Sequence, residues 1–189
     1  SSLGVTQDSF LIGIVARLDP IKAHETFLQA ARQFVDKNLN VQFLIVGSGE
    51  ASYEDRLKKL VKCIGLDDCL IWIDETNDLV GIYNALNIYT LTSRSESFPN
   101  TLCEAMACGT PCVTSDVGDC RLILGDTGIV VEAGDVGGFV SAWEFMYLEQ
   151  DGSNYKKPCY NAISRITTHY SLEKMVEQSI VQFNIDRQA

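Results

Sequence analysis

The chain has 189 residues, 46% of them hydrophobic and 21% charged, which suits one globular domain with a well-buried core. Its net charge of −10 excludes nucleic acid or an anionic membrane surface as a main partner, yet leaves room for a phosphorylated small molecule held by a few local cations. No apolar run reaches membrane-span length, and the opening SSLGVTQDSF has neither the basic nor the apolar region of a secretory signal.

In chain order, FLIGIVA (Phe10 to Ala16) reads as a strand, followed by a loop holding Arg17, Pro20 and Lys22. Phe27, Leu28, Ala31, Phe34 and Val35 then share one helix face. VQFLIV (Val41 to Val46) is almost wholly apolar, as a strand covered on both faces should be, and ends in Gly47-Ser48-Gly49. A helix burying Leu57, Leu60, Val61 and Ile64 leads to CLIWI (Cys69 to Ile73). A helix from about Leu79 to Leu86, the strand NIYTL, and a loop from Thr92 to Pro99 come next. A helix from Asn100 to about Cys108, the strand CVTS, a short helix near Arg121 and the strand GIVV (Gly128 to Val131) complete the alternation.

This rhythm predicts an α/β fold, a doubly wound parallel sheet of Rossmann-like type spanning 10–132 within a single domain of 1–189. A helical tail is expected over 135–189, with Phe139, Trp143, Met146 and Tyr147 on one face. Leu172, Met175, Val176, Ile180 and Phe183 form another. The seven cysteines are odd in number and contain no CxxC pair. With only His24 and His169 to help them, buried or idle thiols are expected, and no metal site. His24 is expected to be exposed at a helix start.

Ligands of open parallel sheets bind beyond the carboxyl ends of the strands. Three loops there carry suggestive residues. Arg17 and Lys22, five residues apart, can both reach one diphosphate, although the pair alone reads better as solvated loop cations. Gly47-Ser48-Gly49 lacks the third glycine of a dinucleotide fingerprint, since Ser52 occupies that place, so it supports little more than a turn. The third loop, SRSESFPNTLCEAMACGTP, places Pro99 in a helix's first turn. The N–H groups of Asn100, Thr101 and Leu102 are then expected to face the cleft unpaired. Glu96 and Glu104 flank this start; either alone reads as a solvent-facing carboxylate, while the two together suit equally well as acceptors for hydroxyl groups. Phosphate on cations and N–H groups, with hydroxyls on carboxylates, describes a nucleotide sugar.

Glu96, seven intervening residues and Glu104 match the acidic motif of glycosyltransferase family 4. So do SRSESFPN, EAMACGTPCVTSDVGD, VARLDPIK, VGSGE and GDTGIVV, in the expected order, so the chain resembles that family from Phe10 onward. The resemblance implies the donor-binding C-terminal half of a GT-B fold, and transfer of a sugar with retention at the anomeric carbon to a glycan or lipid-linked acceptor. It implies Arg17, Lys22 and Glu96 as catalytic residues, the first two on the diphosphate and Glu96 on donor-sugar hydroxyls. It further implies donor contacts near Phe98, Asn100 and Thr101, with Leu102 and Glu104 at the ribose and Ile73 to Asp78 bordering the base.

The implied donor is a UDP- or GDP-linked sugar, with no cofactor. The absence of a DxD triplet fits metal-independent chemistry. The implied partner is an N-terminal acceptor domain, without which this half is expected to be inactive. The implied location is cytoplasmic, peripheral at the inner face of a membrane through that other domain and without membrane insertion by this one. Two other readings stand beside it: a stand-alone nucleotide-sugar-binding module and a nucleotide-sugar epimerase. Several positions depart from the family. Ala16 and Ala23 replace glycines, and Asp74 and Thr76 replace a glycine and an arginine, which leaves the base open.

Overall fold

The computed structural model describes residues 9–37, 40–150, 152–170 and 174, with 153–159 as backbone. Six strands form one parallel sheet: β1 (Phe10–Val15), β2 (Val41–Val46), β3 (Leu70–Ile73), β4 (Ile88–Leu91), β5 (Cys112–Ser115) and β6 (Ile129–Val131). Their order is β3-β2-β1-β4-β5-β6, the doubly wound arrangement that the alternation predicts. The chain builds outward from β1 to β3, then crosses back to place β4 on the other side of β1. The connections therefore diverge between β1 and β4, and open a crevice at their carboxyl ends.

Strand alternation divides the core in two. Phe10, Ile12, Ile14, Phe43 and Ile45 face helices α1 (His24–Val35), α2 (Ala51–Cys63) and α6 (Val136–Glu149). Leu11, Val15, Leu44, Val46 and Tyr89 face α3 (Leu79–Ala85), α4 (Asn100–Ala107), α5 (Cys120–Leu124) and α7 (Ser153–His169). Trp143 of α6 anchors the first layer, with ring centroids 5.5 Å from Phe27, 5.8 Å from Phe34 and 5.9 Å from Phe43. Its buried indole N–H needs an acceptor, and the Thr90 hydroxyl supplies it at 3.0 Å.

Strand ends fall one residue inside the sequence expectation at Ala16, Cys69, Asn87 and Gly128. The tail face at Leu172, Met175, Val176, Ile180 and Phe183 lies outside the described residues. The six cysteines with described side chains are free thiols. Burial pushes the Cys103 thiol up to about 11 and raises Cys69, Cys108 and Cys120 as well, so these groups stay protonated and unreactive at neutral pH. Among the described residues, no helix is long and apolar enough to cross a membrane.

The loop after β1 carries a backbone irregularity. A single 3-10 turn (Pro20–Lys22) is capped by Asp19 and runs into Ala23 at φ 50°, ψ 48°, the left-handed region. Among the described residues Ala23 is the one non-glycine residue with positive φ. A side chain there costs about 1–2 kcal/mol, because Cβ crowds the following carbonyl. Ala23→Gly removes that strain but loses a buried methyl and gains unfolded-state entropy. A net stabilisation of no more than about 0.5 kcal/mol is expected from urea titration. A destabilised variant would mean that packing of the methyl outweighs the strain.

Candidate functional site

The crevice is built by the loops that leave β1, β4 and β5. In the first, Arg17 extends its guanidinium to Asp19, Nη2 to Oδ2 at 3.0 Å, and remains 71% exposed. Asp19 also accepts the Ile21 N–H; that bond and Arg17 hold its carboxyl below the usual range, partly opposed by desolvation. The 3-10 turn then delivers Lys22 inward instead of into solvent. Its Nζ lies 2.6 Å from Oε1 of Glu96, and the two side chains are 23% and 7% exposed. The Ser93 hydroxyl donates to the same carboxylate oxygen. The expected catalytic cation and carboxylate are thus brought together as one half-buried ion pair across the switch point.

The loops are tied to each other through backbone groups. Thr92 donates to the carbonyls of Lys22 and Ala23, and the Arg94 N–H donates to the Ile21 carbonyl. From the β5 side, Ser115 donates to the Ser93 carbonyl at 2.7 Å. Gly118, at φ 50°, lies so close to Glu96 that a Cβ there would meet the Glu96 carbonyl oxygen at 2.2 Å. These residues escaped the sequence reading. Their signal was polar side chains at strand ends, in Thr92-Ser93 and Thr114-Ser115, where apolar runs give way.

At the carboxyl ends of β1, β2 and β3 lies an open cleft of about 500 Å³, lined by Ala16, Arg17, Ser48, Glu75, Asn77 and Thr101 among others. Asp74 and Thr76 line it too, so the expected base-bordering segment does face a cavity. Lys22, Glu96 and Glu104 are not among its lining residues. The glycine turn has a structural origin. At Gly47, φ 146°, a Cβ would sit 2.0 Å from the Ala16 carbonyl oxygen, and Gly49 bridges to Leu18.

The helix start after Pro99 differs from expectation. Pro99 is the N-cap, and α4 begins at Asn100. The Asn100 N–H already donates to the Phe98 carbonyl and the Leu102 N–H to the Pro99 carbonyl, because the chain turns tightly before the helix. Among the three expected donors, only Thr101 makes no backbone bond of this kind. The Leu102 side chain is fully buried in the second core layer, so only its backbone is left to lie beside a ribose. Phe98 is exposed, as is Asn100. Thr101 faces the cleft, and its hydroxyl accepts from Tyr89 at 2.7 Å. Glu104 is exposed one turn further along α4 and accepts the Tyr83 hydroxyl at 2.8 Å. Burial raises the Tyr83 phenol, which keeps it a donor.

His24 is a further correction. It is fully buried at the start of α1, against Tyr53, and neither ring nitrogen has a hydrogen-bond partner among the described residues. Left-handed Ala23 joins the 3-10 turn directly to α1, and the residue after it lies in the core. Among the described residues there is no group of three or more side chains placed to hold a metal ion.

Residues 9–148 match the family described as Glycosyl transferases group 1. The chain belongs to that family. This glycosyl transferase domain is 31% identical over 162 residues to a D-inositol 3-phosphate glycosyltransferase of Gordonia bronchialis, covering 80% of this chain and 35% of the relative. It spans about a third of the length of the curated relatives of that kind. Its fold matches the Anabaena protein HepE in complex with UDP, with a TM-score of 0.84 at 20% identity, over 94% of this chain and 49% of that one. It also matches the C-terminal domain of a group 1 glycosyl transferase, LpcC, from Francisella tularensis. There the TM-score is 0.77 at 23% identity, over 86% of this chain and 87% of that one. Both likenesses establish the GT-B C-terminal fold for this glycosyl transferase domain.

Proposed function

We propose that this domain holds the nucleotide-sugar donor of a retaining glycosyl transfer and acts once joined to an acceptor-binding N-terminal domain. The observation that carries the reading is the Lys22–Glu96 ion pair joining the loops that leave β1 and β4, with Arg17 of the same β1 loop lining the cleft at the strand ends. The complex of HepE with UDP supports a nucleotide ligand for this fold. The cleft bordered by Asp74 to Asn77 takes the base, UDP- and GDP-linked donors both being compatible. Arg17 and Lys22 take the diphosphate oxygens, and Glu104 takes the ribose hydroxyls.

In the reaction, the bond from the anomeric carbon to the diphosphate breaks, and the acceptor oxygen bonds the same face of that carbon. The acceptor proton leaves with the diphosphate. Negative charge grows on the leaving phosphate, and cations fixed beforehand stabilise it there with little reorganisation. Glu96 serves two partners: it anchors Lys22 and offers its remaining acceptor positions to sugar hydroxyls. This division of labour needs no protein nucleophile and no metal ion. Without the acceptor domain, binding persists and transfer does not, since proximity supplies much of such a rate.

Glu96→Ala tests the assignment. In the full-length protein turnover is expected to fall about tenfold to a hundredfold, the worth of charge-assisted hydrogen bonds to sugar hydroxyls. Affinity for the sugar-free nucleoside diphosphate should hold or rise, because Lys22 loses its competing partner. Equal losses of turnover and diphosphate affinity would remove Glu96 from the sugar.

A further inference from the structure

We infer that the buried hydroxyls of Thr92 and Ser115 are positioning residues that set the Lys22–Glu96 pair before any donor arrives. The inference rests on the donor-site reading above and goes beyond it, to what holds the two charges in place.

Lys22 and Glu96 belong to loops 74 residues apart in sequence, leaving opposite sides of the switch point. Nothing in either loop's own sequence fixes their separation. The Thr92 side chain is fully buried and reaches across the gap. Its hydroxyl is 2.9 Å from the Lys22 carbonyl and 3.1 Å from the Ala23 carbonyl. Those carbonyls flank the one left-handed alanine of the described chain, a conformation that persists only when its surroundings hold it. Thr92 is thus placed to hold the strained turn that sends Lys22 inward.

Ser115 does the equivalent for the carboxylate. Fully buried at the end of β5, it donates to the Ser93 carbonyl, while the Ser93 hydroxyl donates to Glu96. One hydroxyl therefore fixes the cation's backbone, and the other fixes the backbone of the residue that holds the anion. Neither touches the cleft. Each acts through another residue, so a loss of either should change how phosphate is gripped and leave the base pocket as it was.

The test uses the 189-residue chain and four proteins: wild type, Thr92→Val, Thr92→Ser and Ser115→Ala. Affinities for UDP and uridine, and for GDP and guanosine, are measured by calorimetry. The expected result is a diphosphate-to-nucleoside affinity ratio about tenfold lower in Thr92→Val and reduced in Ser115→Ala, with nucleoside affinity kept. Thr92→Ser should restore the ratio, since it restores the hydroxyl. A ligand-free readout runs alongside. The Lys22 ammonium protons, shielded by Glu96, should give a distinct nitrogen-correlated NMR signal in the wild type and in Thr92→Ser, lost in Thr92→Val.

A role in stability alone predicts another pattern: lower melting temperatures, with an unchanged affinity ratio and an unchanged Lys22 signal. That pattern would overturn the inference. If the wild type binds no nucleoside diphosphate, the donor-site reading fails, and the Lys22 signal still decides whether Thr92 positions the pair. Should Thr92→Val not fold, Ser115→Ala carries the same affinity comparison, and an unchanged ratio there overturns its half.

Discussion

Lys22→Ala should weaken nucleoside diphosphate binding about tenfold or more, while the bare nucleoside binds as it does to the wild type. A charge-assisted hydrogen bond contributes about 1.5–3 kcal/mol, and each 1.4 kcal/mol is about a factor of ten. A second effect adds to this loss. The substitution leaves the Glu96 carboxylate, 7% exposed, without its cation and facing an incoming phosphate. Arg17→Ala should cost less, because a guanidinium 71% exposed works against solvent screening and is shared with Asp19. Removing both should approach a hundredfold, with the Arg17 share shrinking as salt is raised. Calorimetry with the diphosphate and the nucleoside side by side gives the answer. Equal losses for the two ligands would take both cations off the phosphate.

Acid should unfold the domain partly through His24. Burial, opposed in part by Glu25, holds its imidazole at about 4 instead of the ordinary 6.5. The unfolded chain therefore binds the proton first as pH falls. Stability from the neutral ring is complete above pH 6.5 and drains away as pH drops toward 4. Between pH 7.5 and 4.5 the loss amounts to about 2–3 kcal/mol. His24→Leu keeps the volume roughly and removes the titration. Both nitrogens lack partners, so the replacement breaks no hydrogen bond. Urea titrations at the two pH values should show wild type losing about 2–3 kcal/mol more than the variant, since the carboxylates near it, Asp19 and Glu25, titrate in both. Identical losses would place His24 outside acid unfolding.

Much of the fold was legible in local pattern. Apolar runs such as VQFLIV, helical spacing at Phe27, Ala31 and Phe34, and glycines at turns each follow from backbone and side-chain periodicity within a few residues. The parallel sheet and its two helical layers follow from that alternation, since parallel neighbours require crossovers and both faces must be covered. The residues that converge at the strand ends were legible too, because the loops after β1 and β4 are known once the strands are.

The distances between those loops were not legible, and tertiary packing decided them. Sequence spacing says nothing of the 74-residue separation that packing closes to 2.6 Å between Lys22 and Glu96. The same is true of the hydroxyl ties of Thr92 and Ser115, which join loops from three strands. Local sequence also misplaced His24, which reads as a polar helix start. It is buried because Ala23 adopts a left-handed turn and α1 packs against Tyr53. Of the free N–H groups expected after Pro99, those of Asn100 and Leu102 are taken up for a related reason. A tight turn at Phe98 to Pro99 supplies carbonyls to Asn100 and Leu102, a closure set by ψ angles that residue types do not dictate. Periodicity thus determined the elements and their layering, whereas the charges, burial and donors of the site depend on contacts between distant loops, which only the folded chain creates.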